Sequence, residues 1–133
     1  MKTDQELLKG FSVKKEGNLI VMDFWQAEPE EDNNGRQAEL AVEQIVKVVN
    51  QDMSQTYSFL VDLTKVGTVH YMSDKAKAAY MKLANFKILK KAAIVGRGLF
   101  LEVSLNLIMQ AIGRGDSFKM FDDIKDAKAW LAE

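Results

Sequence analysis

The period of apolar and polar positions changes several times along the chain, and each change marks an element. Phe11 to Lys15, then Glu16-Gly17, then Asn18 to Trp25 reads as a β-hairpin, because strand-forming residues flank a short turn containing glycine. In its second strand Leu19, Val21 and Asp23 alternate with Ile20, Met22 and Phe24, so both faces carry apolar side chains, as expected of a central strand. From Arg36 to Gln51, Ala38, Ala41, Val42, Ile45, Val46, Val48 and Val49 recur at helical spacing. Tyr57 to Leu63 is a strand built on Phe59-Leu60-Val61, and Lys65 to Met72 reads as a loop. Ser73 then has the character of an N-cap for a helix with Ala76, Ala79, Tyr80 and Leu83 on one face. A strand at Ala92-Ala93-Ile94-Val95, a helix from Leu99 to Ile112, a strand from Ser117 to Phe121 and a helix from Asp123 to Leu131 complete the series.

The order β-β-α-β-α-β-α-β-α predicts an α/β fold. Its mixed five-stranded sheet starts with the hairpin and continues with parallel strands, and about four helices cover it. No internal repeat, low-complexity tract or linker interrupts the pattern, so residues 1–133 read as a single domain. The acidic, proline-containing stretch Ala27 to Gly35 reads as a solvated loop leading into a helix N-terminus, where negative charge is favourable.

The helix from Leu99 to Ile112 stands apart. Glu102, Asn106 and Gln110 share one narrow polar stripe, and apolar residues cover nearly all the rest, interrupted only by Ser104. A one-sided surface helix needs an apolar arc of about 100°, and here the arc is roughly twice that. The surplus calls for a neighbouring helix, a second subunit or an apolar ligand.

Composition narrows the function. With 18 basic and 19 acidic residues the net charge is −1, which gives no field attracting nucleic acid or an anionic membrane. Cysteine is absent, which removes disulfides, cysteine nucleophiles and thiolate metal sites. The first residues, Met1 to Glu6, lack the apolar segment of a signal peptide, and no apolar run spans a bilayer, so a cytoplasmic location is expected.

Catalytic signals are sparse. His70 is the single histidine, without the partners that a zinc site or a catalytic pair requires, and no metal or other cofactor is expected. Gly96-Arg97-Gly98 joins a strand to a helix, yet lacks the third glycine of a dinucleotide fingerprint and the lysine-hydroxyl pair of a P-loop. Arg114-Gly115-Asp116 reads as a helix-terminating turn after Gly113. Ligands of open α/β sheets gather beyond the carboxyl ends of parallel strands, and that rule selects Asp62, Thr64, Thr68, Arg97 and Gly98 as a ligand or anion edge. Asp62, Thr64, His70 and Arg97 would be the best site for an enzyme, the least favoured class.

Three strings carry a family resemblance: Val61-Asp62-Leu63-Thr64-Lys65-Val66, Lys91-Ala92-Ala93-Ile94-Val95-Gly96, and Phe121-Asp122-Asp123-Ile124 with Ala127, Ala129, Trp130 and Leu131. In order and spacing they resemble the STAS domain, and within it the SpoIIAA-like branch, which has also been linked with lipid-binding Sec14-type domains. The resemblance implies a non-enzymatic interaction module. In antagonist STAS domains a phosphorylatable serine lies in an Asp-Ser-Ser/Thr-Gly motif after the third strand. The corresponding stretch here is His70-Tyr71-Met72-Ser73-Asp74-Lys75, so Ser73 is read as a helix cap or phosphosite without that motif.

Two functions follow as expectations. One is a regulatory module that binds a protein partner or forms a homodimer through the 99–112 helix. The other is a carrier or sensor of a lipid-like small molecule. In either case Leu101, Leu105, Ile108, Met109 and Ile112 form the apolar interface or pocket, with Tyr80 or Leu83 beside them in the second.

Overall fold

The computed structural model describes residues 1–133 and contains five strands and five α-helices. In chain order they are α1 (Asp4–Leu8), β1 (Phe11–Glu16), β2 (Leu19–Phe24), α2 (Glu31–Asn50), β3 (Tyr57–Asp62), α3 (Asp74–Ala84), β4 (Leu89–Val95), α4 (Leu99–Ile112), β5 (Phe118–Phe121) and α5 (Ile124–Leu131). Short 3-10 turns occupy Thr64–Val66 and Gly115–Ser117. The sheet order is β1-β2-β3-β4-β5, with β1 antiparallel to β2 and the other pairs parallel. The mixed sheet predicted from the element order is therefore the one observed.

Because the strand order advances in one direction only, right-handed crossovers put successive helices on the same side of the sheet. Alternate residues of the strands show the outcome. Phe11, Ile20, Met22, Phe24, Tyr57, Phe59, Leu89, Ala92 and Ile94 enter one large core with Leu7 of α1, Leu40 and Ile45 of α2, Leu83 of α3 and Leu101 of α4. The opposite face supplies Leu60, Ala93 and Val95 to a smaller cluster closed by Ala127 of α5, with Trp130 and Phe121 at its margin. Four helices thus crowd the front face and one short helix covers the back.

Beside the helices expected from the sequence there is one more, α1, which precedes the hairpin. Its N-terminus is a capping box, in which Glu6 N donates to Thr3 Oγ1 and the Glu6 carboxylate accepts from Thr3 N. The acidic stretch is also not loop throughout, since α2 begins at Glu31 and not near Arg36. Its first turns bury Asn33, Gly35 and Gln37, so their inward face is polar and escapes an apolar periodicity. Gly35 permits the crossing of α2 by α3: a Cβ there would lie 2.9 Å from the Lys75 side chain. Arg36 fastens α1 to α2 through Asp4, at 2.8 Å, and also reaches Glu39 and Glu43.

Candidate functional site: an apolar cavity with one polar end

Between the front face of the sheet and helices α2, α3 and α4 lies a cavity of about 160 Å³. Of its 26 lining residues, 22 are apolar. Its floor is Met22, Phe24, Phe59, Val61, Leu89, Ala92 and Ile94, which are the alternate inward positions of β2, β3 and β4. Its roof is Ala76, Tyr80, Leu83 and Ala84 of α3 with Leu101, Leu105, Ile108 and Met109 of α4. The small side chains Ala76, Ala84 and Ala92, all buried, leave the space that larger residues would fill. An apolar cavity of comparable volume stays dry and binds benzene, so this one suits an apolar guest.

Four polar residues, Gln26, Glu28, Asn34 and Gln37, form one end of the lining. All come from the segment joining β2 to α2 and from the first turns of α2. Gln26 and Ala27 are exposed, as is Tyr71 from the loop before α3, so the cavity meets the surface between these two segments. The Glu28 side chain is only 2% exposed, and Lys2 Nζ lies 3.0 Å from its Oε2. Asn34 Nδ2 donates to the Glu28 carbonyl, and Gln37 Nε2 donates to the Gln26 carbonyl. Burial pushes up the pKa of the Tyr80 hydroxyl. Burial also raises that of Tyr71, assisted by the negative charges of Glu31, Asp74 and Asp32.

Of the residues expected on an apolar site, Leu101, Leu105, Ile108, Met109, Tyr80 and Leu83 line this cavity together. Ile112 does not; it lies half-buried at the end of α4. Glu28, Asn34, Gln37 and Tyr71 were not legible as site residues, because an acidic run and a loop tyrosine carry no periodic signal.

The carboxyl edge of the sheet is a separate place. Asp62 Oδ1 accepts from Thr64 N at 2.9 Å and from Thr64 Oγ1 at 2.6 Å, a local turn that ends β3. Asp23, level with Asp62 on β2, pairs with Lys65 at 2.5 Å, and its Oδ1 is buried without a partner. Thr68 and Arg97 form an isolated parallel bridge. Gly98 lies against it at φ +114°, where a Cβ would stand 3.0 Å from Thr68 Cγ2. None of Asp62, Thr64, Thr68, His70, Arg97 and Gly98 lines the cavity. His70 is exposed.

Ser73 caps α3: its Oγ accepts from Ala76 N at 3.1 Å, and the residue is 2% exposed. The guanidinium of Arg114 donates to the carbonyls of Ala84 and Phe86, at 2.8 and 3.1 Å, and to that of Leu89, holding the turn from α3 into β4. On the outer side of α4, Leu99, Phe100, Val103 and Leu107 face solvent at 75, 38, 49 and 59% exposure. The surplus apolar arc of this helix is therefore only partly absorbed by the core. No helix is long and apolar enough to cross a membrane.

A hairpin-led mixed sheet, with parallel strands in sequence order and helices stacked on one face, defines a STAS-type α/β domain. The SpoIIAA-like family matches residues 31–132, and the chain belongs to that family. It is also similar to the crystal structure of an uncharacterized protein of the DUF3478 family with a SpoIIAA-like fold, from Shewanella loihica PV-4. That similarity has a TM-score of 0.60 and 17% identity over 91% of each chain, which is a likeness of fold. No curated protein matches the chain significantly.

Proposed function

We propose that this chain is a non-enzymatic binding module that holds a small apolar or amphipathic molecule between the sheet and helices α3 and α4. One observation carries the reading: a space of about 160 Å³, open to the surface at its polar end, is lined almost wholly by apolar side chains and is left unfilled by them. STAS-type domains generally serve as regulatory or interaction modules, and a guest that props or releases α4 would give such a module its signal. The test is a series of linear alcohols of increasing length, followed by calorimetry. Each added methylene tightens binding about fourfold, from roughly 0.8 kcal/mol per buried CH₂, until the cavity is full. Absence of binding across the series, or affinity that never levels off with length, would remove the cavity as the site.

A second reading rests on the outer face of α4. Leu99, Phe100, Val103 and Leu107 form an exposed apolar strip that a second copy of the chain would bury about a two-fold axis. Light scattering coupled to size-exclusion chromatography decides it. A monomer at high micromolar concentration would end this reading without touching the first.

A further inference from the structure

We propose that the polar end of the cavity selects a ligand whose head group donates hydrogen bonds, a primary ammonium above all, and rejects a carboxylate, with Glu28 as the specificity-determining residue. The inference rests on the cavity being the ligand site and adds the chemistry of the head group.

The hydrogen bonds at that end leave acceptors over. Asn34 is engaged on both sides, its Nδ2 with the Glu28 carbonyl and its Oδ1 with Ser73 N. The Gln37 amide nitrogen is turned to the Gln26 carbonyl, which leaves the Gln37 side-chain oxygen without a partner. Glu28 uses Oε2 for Lys2, and its Oε1 accepts from no group of the chain. Gln26 Nε2 and the Tyr71 and Tyr80 hydroxyls line the cavity without a partner as well, yet the single carboxylate of the lining is that of Glu28, which is nearly buried and keeps one oxygen unpaired. A buried charge is costly unless it is paired and hydrogen-bonded, so this carboxylate gains from a donor arriving through the cavity and loses from a second anion.

The surrounding charge agrees. Glu31, Asp32 and Asp74 act on the Tyr71 hydroxyl at the mouth. The nearby cations are engaged elsewhere: Arg36 by Asp4, Glu39 and Glu43, and Lys75 by Glu39 at 3.6 Å. Lys77 stands 4.0 Å from Asp74 and close to the Phe100 ring. Lys2 alone meets Glu28, and it comes from the segment before α1, with 34% of its side chain exposed. It occupies one oxygen as a ligand's ammonium would occupy the other.

Three probes with one tail separate head from tail: octylamine, octanol and octanoate, measured by calorimetry on the full chain at neutral pH. The expected order is octylamine about tenfold tighter than octanol, with octanoate weakest, since a charge-assisted hydrogen bond exceeds a neutral one by about that factor. Glu28→Gln brings the amine to within about twofold of the alcohol while octanol binding is retained, which also reports that the variant folds. Lys2→Ala removes the competing ammonium and strengthens octylamine several-fold, and this arm stands by itself should Glu28→Gln fail to fold. If Glu28 merely pinned the N-terminal segment, both substitutions would weaken octylamine alike, and the proposal would fall. Octanoate binding as tightly as octylamine would also overturn it and leave the cavity as a site. Failure of all three probes to bind would remove the cavity reading and this proposal together.

Discussion

The main-chain N–H of Ser73 donates to Asn34 Oδ1 at 2.9 Å, tying the start of α3 to the first turn of α2 across 39 residues of sequence. The same Asn34 holds the Glu28 carbonyl through its Nδ2. One side chain therefore joins the three segments that frame the mouth of the cavity, and the cap of α3 belongs to that frame.

Ser73→Ala removes the acceptor for Ala76 N and lowers unfolding free energy by about 0.5–2 kcal/mol, read from urea titrations. Ser73→Asp, which an exposed cap would tolerate, costs more than Ser73→Ala, because the residue is buried and the added carboxylate charge would be desolvated there. An aspartate variant as stable as wild type would show that the cap faces water.

Gly98→Ala is destabilising by about 1–3 kcal/mol, since φ +114° is strained for any residue with a Cβ. The new methyl also meets the Val69 carbonyl at 3.1 Å. A denaturation midpoint equal to that of wild type would contradict this.

Ala92→Val adds volume at the cavity floor on a strand that favours β-branched residues. The melting temperature stays level or rises, and the thermal shift given by octanol falls by at least about half. Unchanged octanol binding would place the probe elsewhere.

Tyr80 sets an alkaline limit. Its folded-state pKa is raised above the ordinary 10.0 by burial, so above that pH the unfolded chain releases a proton that the folded chain retains. Stability therefore falls as pH rises beyond about 10, by at most about 1.4 kcal/mol per pH unit from this group. Tyr80→Phe removes that part of the slope. Urea midpoints at pH 9 and 11 for both proteins measure it, and equal slopes would refute the assignment.

Much of the fold was legible because the front face of the sheet is apolar at every second position and α4 is apolar over most of its circumference. Leu101, Leu105, Ile108 and Met109 were readable as a surface seeking a partner for that reason. The remainder was hidden by polar burial. Helix α1 is five residues long and shows no period, although Thr3 and Glu6 carry the spacing of a capping box. The start of α2 buries Asn33, Gly35 and Gln37 and so looks like loop to any rule that counts apolar positions. The cavity's polar end is built from that same segment, so the error in the helix boundary and the absence of Glu28 from the expected site have one cause.

The one-way order of the strands also bears on how the chain assembles. Every strand pairs with its neighbour in sequence, so the sheet can grow by one crossover unit at a time, without waiting for a distant segment. The exception is the back face, whose covering helix α5 follows all five strands in sequence. A chain ending at Asp122 would have its strands and front helices yet leave Leu60, Ala93 and Val95 open to water, a sticky intermediate that the final turns of α5 seal.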